Sequence, residues 1–113
     1  LSAIAAFAGE AAALIRSHAA EAIPVLFGHV GEGNLHLNVL RCSAAAERDL
    51  YAAMMELIAR LGGNVSSEHG VGTRKRDYLG MSRTAADIAA MRAVKQAFDP
   101  TGYLNPAVMF GRS

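Results

Sequence analysis

Apolar residues recur at helical spacing in three segments of this 113-residue chain. The first covers residues 3–20, the second lies between residues 43 and 63, and the third covers residues 84–98. Apolar side chains three or four positions apart predict amphipathic helices that each turn one face to a core. In the third helix, the positions predicted to face a core are Ile88, Met91, Val94 and Phe98.

The ends of the second and third helices are marked by residue type. Ser43 is a preferred residue for capping a helix N-terminus, and Gly62-Gly63 is suited to ending a helix because glycine readily takes the left-handed conformation. Thr84 with Asp87 resembles a capping box in which aspartate replaces the usual glutamate.

Two strand-like segments lie between the first two helices. Residues 25–30 and 35–40 are mostly apolar, and the Gly31-Glu32-Gly33-Asn34 stretch between them has the composition of a tight turn. We predict a β-hairpin over residues 23–41 in which Val30 faces Leu35 and His29 faces His36. Since side chains alternate along a strand, Asn38 shares a face with the histidines. The other face receives Leu35, Leu37 and Val39.

A further extended segment is expected at residues 64–67, before a polar, glycine-containing loop. The order helix–strand–strand–helix–strand–helix predicts an α+β fold, a two-layer sandwich with helices on one face of an antiparallel sheet. The length fits one domain, residues 1–113, with a real hydrophobic core. Because helical periodicity begins at once at Leu1, we expect the chain to be part of a longer protein.

Composition and charge narrow the class of protein. The chain is 52% hydrophobic and 19% charged, as is usual for globular domains, and its net charge is +1. The one basic cluster, residues 74–76, has no interleaved aromatic residues, so we do not expect nucleic-acid binding. A single cysteine, Cys42, excludes an internal disulfide and favours a reducing, cytoplasmic location. No apolar run approaches the ~20 residues that span a bilayer.

The two hairpin histidines are candidate metal ligands. Directly opposed residues of a hairpin have Cβ atoms roughly 4.5–5.5 Å apart, so His29 and His36 in the predicted register could bind one divalent cation. Glu68 would complete a His/His/carboxylate set, which suits zinc or another first-row divalent metal and leaves positions open for substrate. Glu68 and the adjacent His69 need an irregular loop to serve one site, and the glycines that follow them favour such a loop.

Three segments together resemble the C-terminal domain of FAD-linked oxidases of the D-lactate, glycolate and D-2-hydroxyglutarate dehydrogenase type. They are GHVGEGNLHLN, SSEHGVGTRKRDYL and AMRAVKQAFDPTGYLNP, and the resemblance covers about residues 20–110. It implies a ferredoxin-like α+β cap over a flavin, with an FAD-binding domain that precedes the cap in the chain and is absent here.

The resemblance also implies roles for individual residues. The metal ligands would be His29, His36 and Glu68, with zinc the commonest metal. Substrate would be bound by Asn38 and Lys75, the base would be His69, and Asn105 would approach the FAD. Two departures from the family pattern are Glu32, where aspartate is usual, and Pro106-Ala107-Val108, where Pro-Gly-Lys is usual.

The function implied by the resemblance is the oxidation of a small 2-hydroxy acid, with hydride transfer from C2 to the flavin. The isolated segment is expected to have no turnover. The partners implied are the upstream FAD-binding domain and an iron–sulfur or electron-transfer subunit, through which the enzyme would associate peripherally with the inner membrane.

Two other classes of protein stay open on the residues alone. Two histidines, a carboxylate and a nearby histidine could activate water in a metal-dependent hydrolase. A non-catalytic α+β module that forms a homodimer through an exposed sheet face is the second alternative.

Overall fold

The structure, a computed structural model, describes residues 2–111. The chain divides into two compact units, the first ending at Gly62 and the second beginning at Gly63. The prediction of one domain over residues 1–113 stays a prediction. The helices and strands are α1 (Ser2–His18), β1 (Ile23–Phe27), β2 (His36–Leu40), α2 (Ala44–Arg60) and α3 (Ala85–Phe98), with short 3-10 helices at Val30–Glu32 and Arg76–Met81.

The core of the first unit lies where α1, α2 and the hairpin meet. Its buried residues are contributed by both helices and the segment that joins α1 to β1, and Leu37 and Val39 of β2 pack against them. Complete burial of an aliphatic side chain stabilises a fold by about 1.5–3 kcal/mol, so this cluster holds the helices on one face of the sheet. The predicted α+β class is therefore confirmed. The buried residues are Ala11, Ile15, Ala22, Leu50, Met54 and Leu57.

The hairpin register differs from the prediction. The two strands are antiparallel, but Phe27 lies opposite His36, whereas His29 was predicted to lie there. β1 ends at Phe27 because Gly28, with φ of 141°, leaves the β region and the chain then turns into the 3-10 helix. The displacement is two residues, so each side chain keeps its predicted face. Asn38 is exposed on the face of His36, and Leu37 and Val39 point to the core.

Both predicted N-caps are confirmed. Ser43 Oγ accepts a hydrogen bond from the backbone N–H of Ala46 at the start of α2. Thr84 and Asp87 form the capping box of α3, because Thr84 Oγ1 accepts from Asp87 N and Asp87 Oδ2 accepts from Thr84 N. Such caps satisfy backbone donors that a helix leaves unpaired.

The predicted extended segment at residues 64–67 is wrong. Asn64 Oδ1 accepts hydrogen bonds from both N and Oγ of Ser66, and residues 65–69 form turns. Such local bonds from an asparagine side chain compete with strand pairing. The sheet of the described residues is therefore two-stranded.

The apolar stripe of α3 is only partly covered. Ile88 and Met91 are half-buried, but Val94 and Phe98 are 59% and 84% exposed, so their predicted placement in a core is wrong for the described chain. The second unit has a single long helix and no strand longer than one bridge among its described residues, so no second layer covers this stripe. None of the described helices is both long and apolar enough to cross a membrane.

Candidate functional site

The loop between β1 and β2 carries His29 on a closed turn. The His29 carbonyl accepts hydrogen bonds from the N–H groups of Glu32 and Asn34, and Gly33 ends the 3-10 helix in the left-handed conformation. His29 itself is exposed. Its backbone is thus held by the turn, while its imidazole is accessible to a ligand.

Gly28 provides the close approach that this loop requires. A Cβ at Gly28 would lie 2.6 Å from the Asn34 carbonyl oxygen and 3.2 Å from Leu35 Cα, both backbone atoms. With φ of 141° as well, the position accepts glycine and strains any other residue. The loop can therefore close between the two histidines only because residue 28 has no side chain.

His36 is oriented by an aromatic neighbour. Its ring stacks on Phe27, with the ring centroids 5.1 Å apart and the planes 24° from parallel. This separation lies within the range at which aromatic pairs attract each other. Asn38 follows on the same face of β2, opposite Val25 of β1. The hairpin thus presents an imidazole and an amide side by side along one strand.

In the second unit, the loop after Val65 brings Glu68 and His69 together. Glu68 Oε1 lies 3.2 Å from His69 Nε2, although adjacent side chains of an extended chain would point apart. The backbone is irregular here, since Ser67 and Gly70 have φ of 47° and 78°. The irregular loop predicted from the sequence is confirmed, and it makes the carboxylate and imidazole neighbours.

Lys75 supports this loop from its far end. Its Nζ donates a 3.4 Å hydrogen bond to the Ser66 carbonyl, and its backbone N–H donates to the Val71 carbonyl. An ammonium has three donors, so one bond to Ser66 leaves others for an anionic ligand. Lys75 is half-buried, which limits the directions in which its ammonium can point.

Asn105 follows a loop that Asp99 organises. Asp99 is only 5% exposed, and its two carboxylate oxygens accept from the backbone N–H groups of Tyr103 and Leu104 at 2.8 and 2.9 Å. Lys95 Nζ contacts the same carboxylate and donates to the Leu104 carbonyl at 2.7 Å. These bonds hold the backbone of Tyr103 and Leu104, the two residues directly before Asn105.

A groove of about 830 Å³ lies between the C-terminal half of α3 and the tail, and Asn105 is among the residues that line it. On the tail side, the Phe110 ring lies under the Arg92 guanidinium, 4.6 Å from its central carbon. Arg76 Nη1 donates to the Ala107 carbonyl and ties the tail to the preceding 3-10 helix. Asn105 is therefore displayed at the edge of a groove within the second unit.

The predicted site residues belong to both units. The first contains His29, His36 and Asn38, and the second contains the other four: Glu68, His69, Lys75 and Asn105. Within a unit, the structure joins Glu68 with His69 and places His36 and Asn38 on one face. It does not place His29 opposite His36, because the strand ends before His29.

Sequence reasoning missed three supporting residues, namely Phe27, Gly28 and Asp99. A glycine directly before His29 was a signal for a close approach of two chain segments. The Asp-Pro pair directly after α3 was also a signal, because aspartate commonly accepts bonds from N–H groups a few residues further on. The Phe27–His36 stack depends on the register and had no local signal.

We predict that Gly28→Ala destabilises the protein by roughly 1–3 kcal/mol, because alanine at positive φ is strained and its Cβ meets the Asn34 carbonyl. The free energy of unfolding in urea measures the effect. Gly31→Ala is the matched control, since a Cβ there has no atom within 4 Å, and it should change stability by less than about 0.5 kcal/mol. Equal stability of the two variants would contradict the close approach.

We also predict that the stabilisation from Asp99 depends on pH. The hydrogen bond from Lys95, with smaller help from the Leu104 and Tyr103 N–H groups, holds the pKa of Asp99 below its ordinary value of 3.8, although burial opposes this shift. A lowered pKa gives stability that is complete above the unfolded-state pKa and is lost as pH falls through the folded-state pKa. The stability difference between wild type and Asp99→Asn should therefore shrink below about pH 4.

Denaturation in urea at several pH values measures this difference. Asp77→Asn, at an exposed carboxylate of the same unit, is the control and should show a smaller difference at neutral pH. A difference between wild type and Asp99→Asn that stays constant down to pH 2 would rule out the charged form of Asp99 as the source.

Comparison with known proteins identifies relatives of this chain. Residues 1–109 match the family "FAD linked oxidases, C-terminal domain". D-2-hydroxyglutarate dehydrogenase of Stutzerimonas stutzeri is 41% identical over 112 residues, which cover 93% of this chain and 24% of that protein. Glycolate oxidase subunit GlcD of Bacillus subtilis is 43% identical over 91 residues, 76% of this chain and 19% of that protein.

A mitochondrial D-2-hydroxyglutarate dehydrogenase of Bos taurus is 44% identical over 87 residues, 74% of this chain and 16% of that protein. The chain thus spans a quarter or less of the length of these relatives. The family match covers nearly all of the chain, including every residue of the candidate site. The chain belongs to the family of FAD-linked oxidases, as a C-terminal domain.

Proposed function

We propose that this chain is the substrate- and metal-binding C-terminal domain of an FAD-dependent 2-hydroxy-acid dehydrogenase or oxidase. The observation that carries the proposal is the pairing of Glu68 with His69 on an irregular loop, a carboxylate and a basic imidazole held 3.2 Å apart. The named relatives act, by their names, on 2-hydroxyglutarate and glycolate, which are both 2-hydroxy acids.

The donor atoms fit a divalent metal. His29, His36 and Glu68 offer two imidazoles and a carboxylate, the set found in catalytic zinc sites that keep a position open for substrate. All three side chains are exposed or half-buried, so their donor atoms are accessible to an ion. Zinc bound there would polarise the substrate hydroxyl as a Lewis acid.

Asn38 and Lys75 are proposed to bind the acid. Asn38 is exposed on the strand face that carries His36, and its amide can donate to and accept from a carboxylate or hydroxyl. Lys75 offers a cation for the carboxylate while its bond to Ser66 fixes its position. Together they orient a substrate whose C2 hydrogen and hydroxyl must point in defined directions.

His69 is proposed to take the proton from the substrate hydroxyl. When Nε2–H donates to Glu68, Nδ1 has no proton and can accept one, since a neutral imidazole has one donor and one acceptor nitrogen. FAD, when bound, supplies the oxidising power by accepting the C2 hydride, and a 2-oxo acid results. Asn105, displayed beside the groove of the second unit, is proposed to contact the FAD.

The remaining partners follow from the same proposal. The FAD-binding domain would belong to the same longer chain, and an iron–sulfur or electron-transfer subunit would accept the electrons. The cytoplasmic location stays a prediction that rests on the single cysteine.

Loss of a side chain that hydrogen-bonds to a metal ligand typically weakens metal binding by about 10–100-fold. We predict a larger loss of zinc affinity for Glu68→Gln, because this change replaces an anionic ligand by a neutral amide. Zinc content and turnover are measured on the longer protein with its FAD domain, by elemental analysis and by dye reduction with D-2-hydroxy acids. His18→Ala is the control, since His18 lies at the exposed end of α1.

The control should keep both zinc and activity. Full activity of Glu68→Gln in zinc-free protein would refute the metal role. Ester hydrolysis by wild type without any FAD would instead favour a hydrolase.

We predict that His69→Gln lowers kcat by about 10²–10⁴-fold, the usual contribution of a general base, and leaves zinc content unchanged. Glutamine keeps a hydrogen-bonding side chain beside Glu68 but cannot carry the proton. Stopped-flow measurement of flavin reduction isolates the chemical step. A variant that reduces flavin at the wild-type rate would exclude His69 as the base, and a variant that loses zinc would assign it to the metal instead.

A further inference from the structure

The outward face of the hairpin is unusually apolar. Four of its six side chains are large hydrophobic residues with 38–52% exposure, and the other two are His36 and Asn38. The solvated face of an antiparallel sheet is normally polar. The apolar residues of this face are Ile23, Val25, Phe27 and Leu40.

The observed register gives each polar residue of this face an apolar partner on β1. Phe27 lies opposite His36 and is stacked on its ring, so Phe27 is already engaged. Val25 lies opposite Asn38, and Ile23 lies opposite Leu40. Directly opposed side chains have Cβ atoms roughly 4.5–5.5 Å apart, so the Val25 methyl groups stand beside the Asn38 amide.

This position has a consequence for any acid that Asn38 holds. The two heavy atoms of a hydrogen bond lie about 3 Å apart. In a 2-hydroxy acid, C2 is bonded directly to the carboxylate carbon and to the hydroxyl oxygen. The side group on C2 therefore lies within a few ångströms of the neighbours of Asn38. Among the cross-strand residues, Val25 is the nearest of these neighbours, and its side chain is still 38% exposed and able to make contact.

We propose that Val25 contacts the side group of the bound 2-hydroxy acid and determines which sizes of side group are accepted. The inference rests on the proposed function, because it takes Asn38 as a substrate contact. Valine is short and branched, so it presents a stiff apolar surface of defined height beside the amide. Phe27 completes the same surface but positions His36, so a change at Phe27 would alter chemistry as well as selectivity.

The test compares kcat/KM for glycolate, D-lactate and D-2-hydroxybutyrate in the longer FAD-containing protein. Val25→Ala should raise the ratio of D-2-hydroxybutyrate to glycolate by about 10-fold, the lower end of the discrimination that one methylene group gives in an apolar pocket. Val25→Ile should lower the same ratio by a similar factor. Opposite signs are required, because one variant enlarges the space beside Asn38 and the other fills it.

Ile23→Ala is the matched control on the same face of β1. Ile23 lies opposite Leu40, and neither His36 nor Asn38 is its cross-strand partner. This variant should therefore leave the ratio of kcat/KM for D-2-hydroxybutyrate to that for glycolate within about 2-fold of wild type. Melting curves of all variants show whether they fold. If Val25→Ala does not fold, the conservative Val25→Ile variant still tests the proposal.

The outcomes separate the two claims. An active wild type whose substrate ratios are unchanged in Val25→Ile and Val25→Ala would overturn the role of Val25 and leave the proposed function standing. An equal loss for all three acids would also overturn it, since that pattern indicates positioning and not size selection. A flavin-loaded wild type that oxidises none of the acids would overturn the proposed function, and the role of Val25 with it.

Discussion

The pairing of Phe27 with His36 is the constraint on which the first unit depends. Side chains alternate along each strand, so this one pair sends Leu37 and Val39 to the helices and His36 and Asn38 to the opposite face. The burial of the core and the display of the polar residues are therefore set by the same register. Gly28 permits the register, because the chain can close past Asn34 only where no side chain intervenes.

The second unit is organised by hydrogen bonds from side chains to the backbone. Its described residues bury few large side chains, with Val65 and Leu79 the buried apolar ones. Asn64, Arg76, Lys95 and Asp99 instead hold its loops by bonds to N–H and C=O groups. Such loops keep defined positions for Glu68, His69 and Asn105 without a second layer of structure. The two units thus reach order by different means, apolar packing in one and polar bonding in the other.

Much of the fold could be predicted from the sequence because it is encoded by short-range patterns. The three helices, the caps at Ser43 and Thr84, the hairpin and the alternation of its faces all rest on residues within a few positions of one another. The irregular loop at Glu68 was also predictable, since the neighbouring glycines favour it.

What could not be predicted depends on longer-range geometry. The register follows from a backbone contact between Gly28 and Asn34, which spacing alone does not reveal. The exposure of Val94 and Phe98 depends on which elements are present to cover α3, whereas periodicity shows only that one face is apolar. The conformation of residues 64–67 depends on the Asn64 side chain, which offers the backbone an alternative to strand pairing.

The register also constrains how the two strands of the hairpin can change in length over evolution. Because side-chain direction repeats every two residues, a gain or loss of two positions before His36 slides one strand along the other and preserves both faces. A gain or loss of one position within β2 would turn the imidazole and amide inward and the core leucine outward. Among natural variants of this hairpin, length differences within the paired strands should therefore be even.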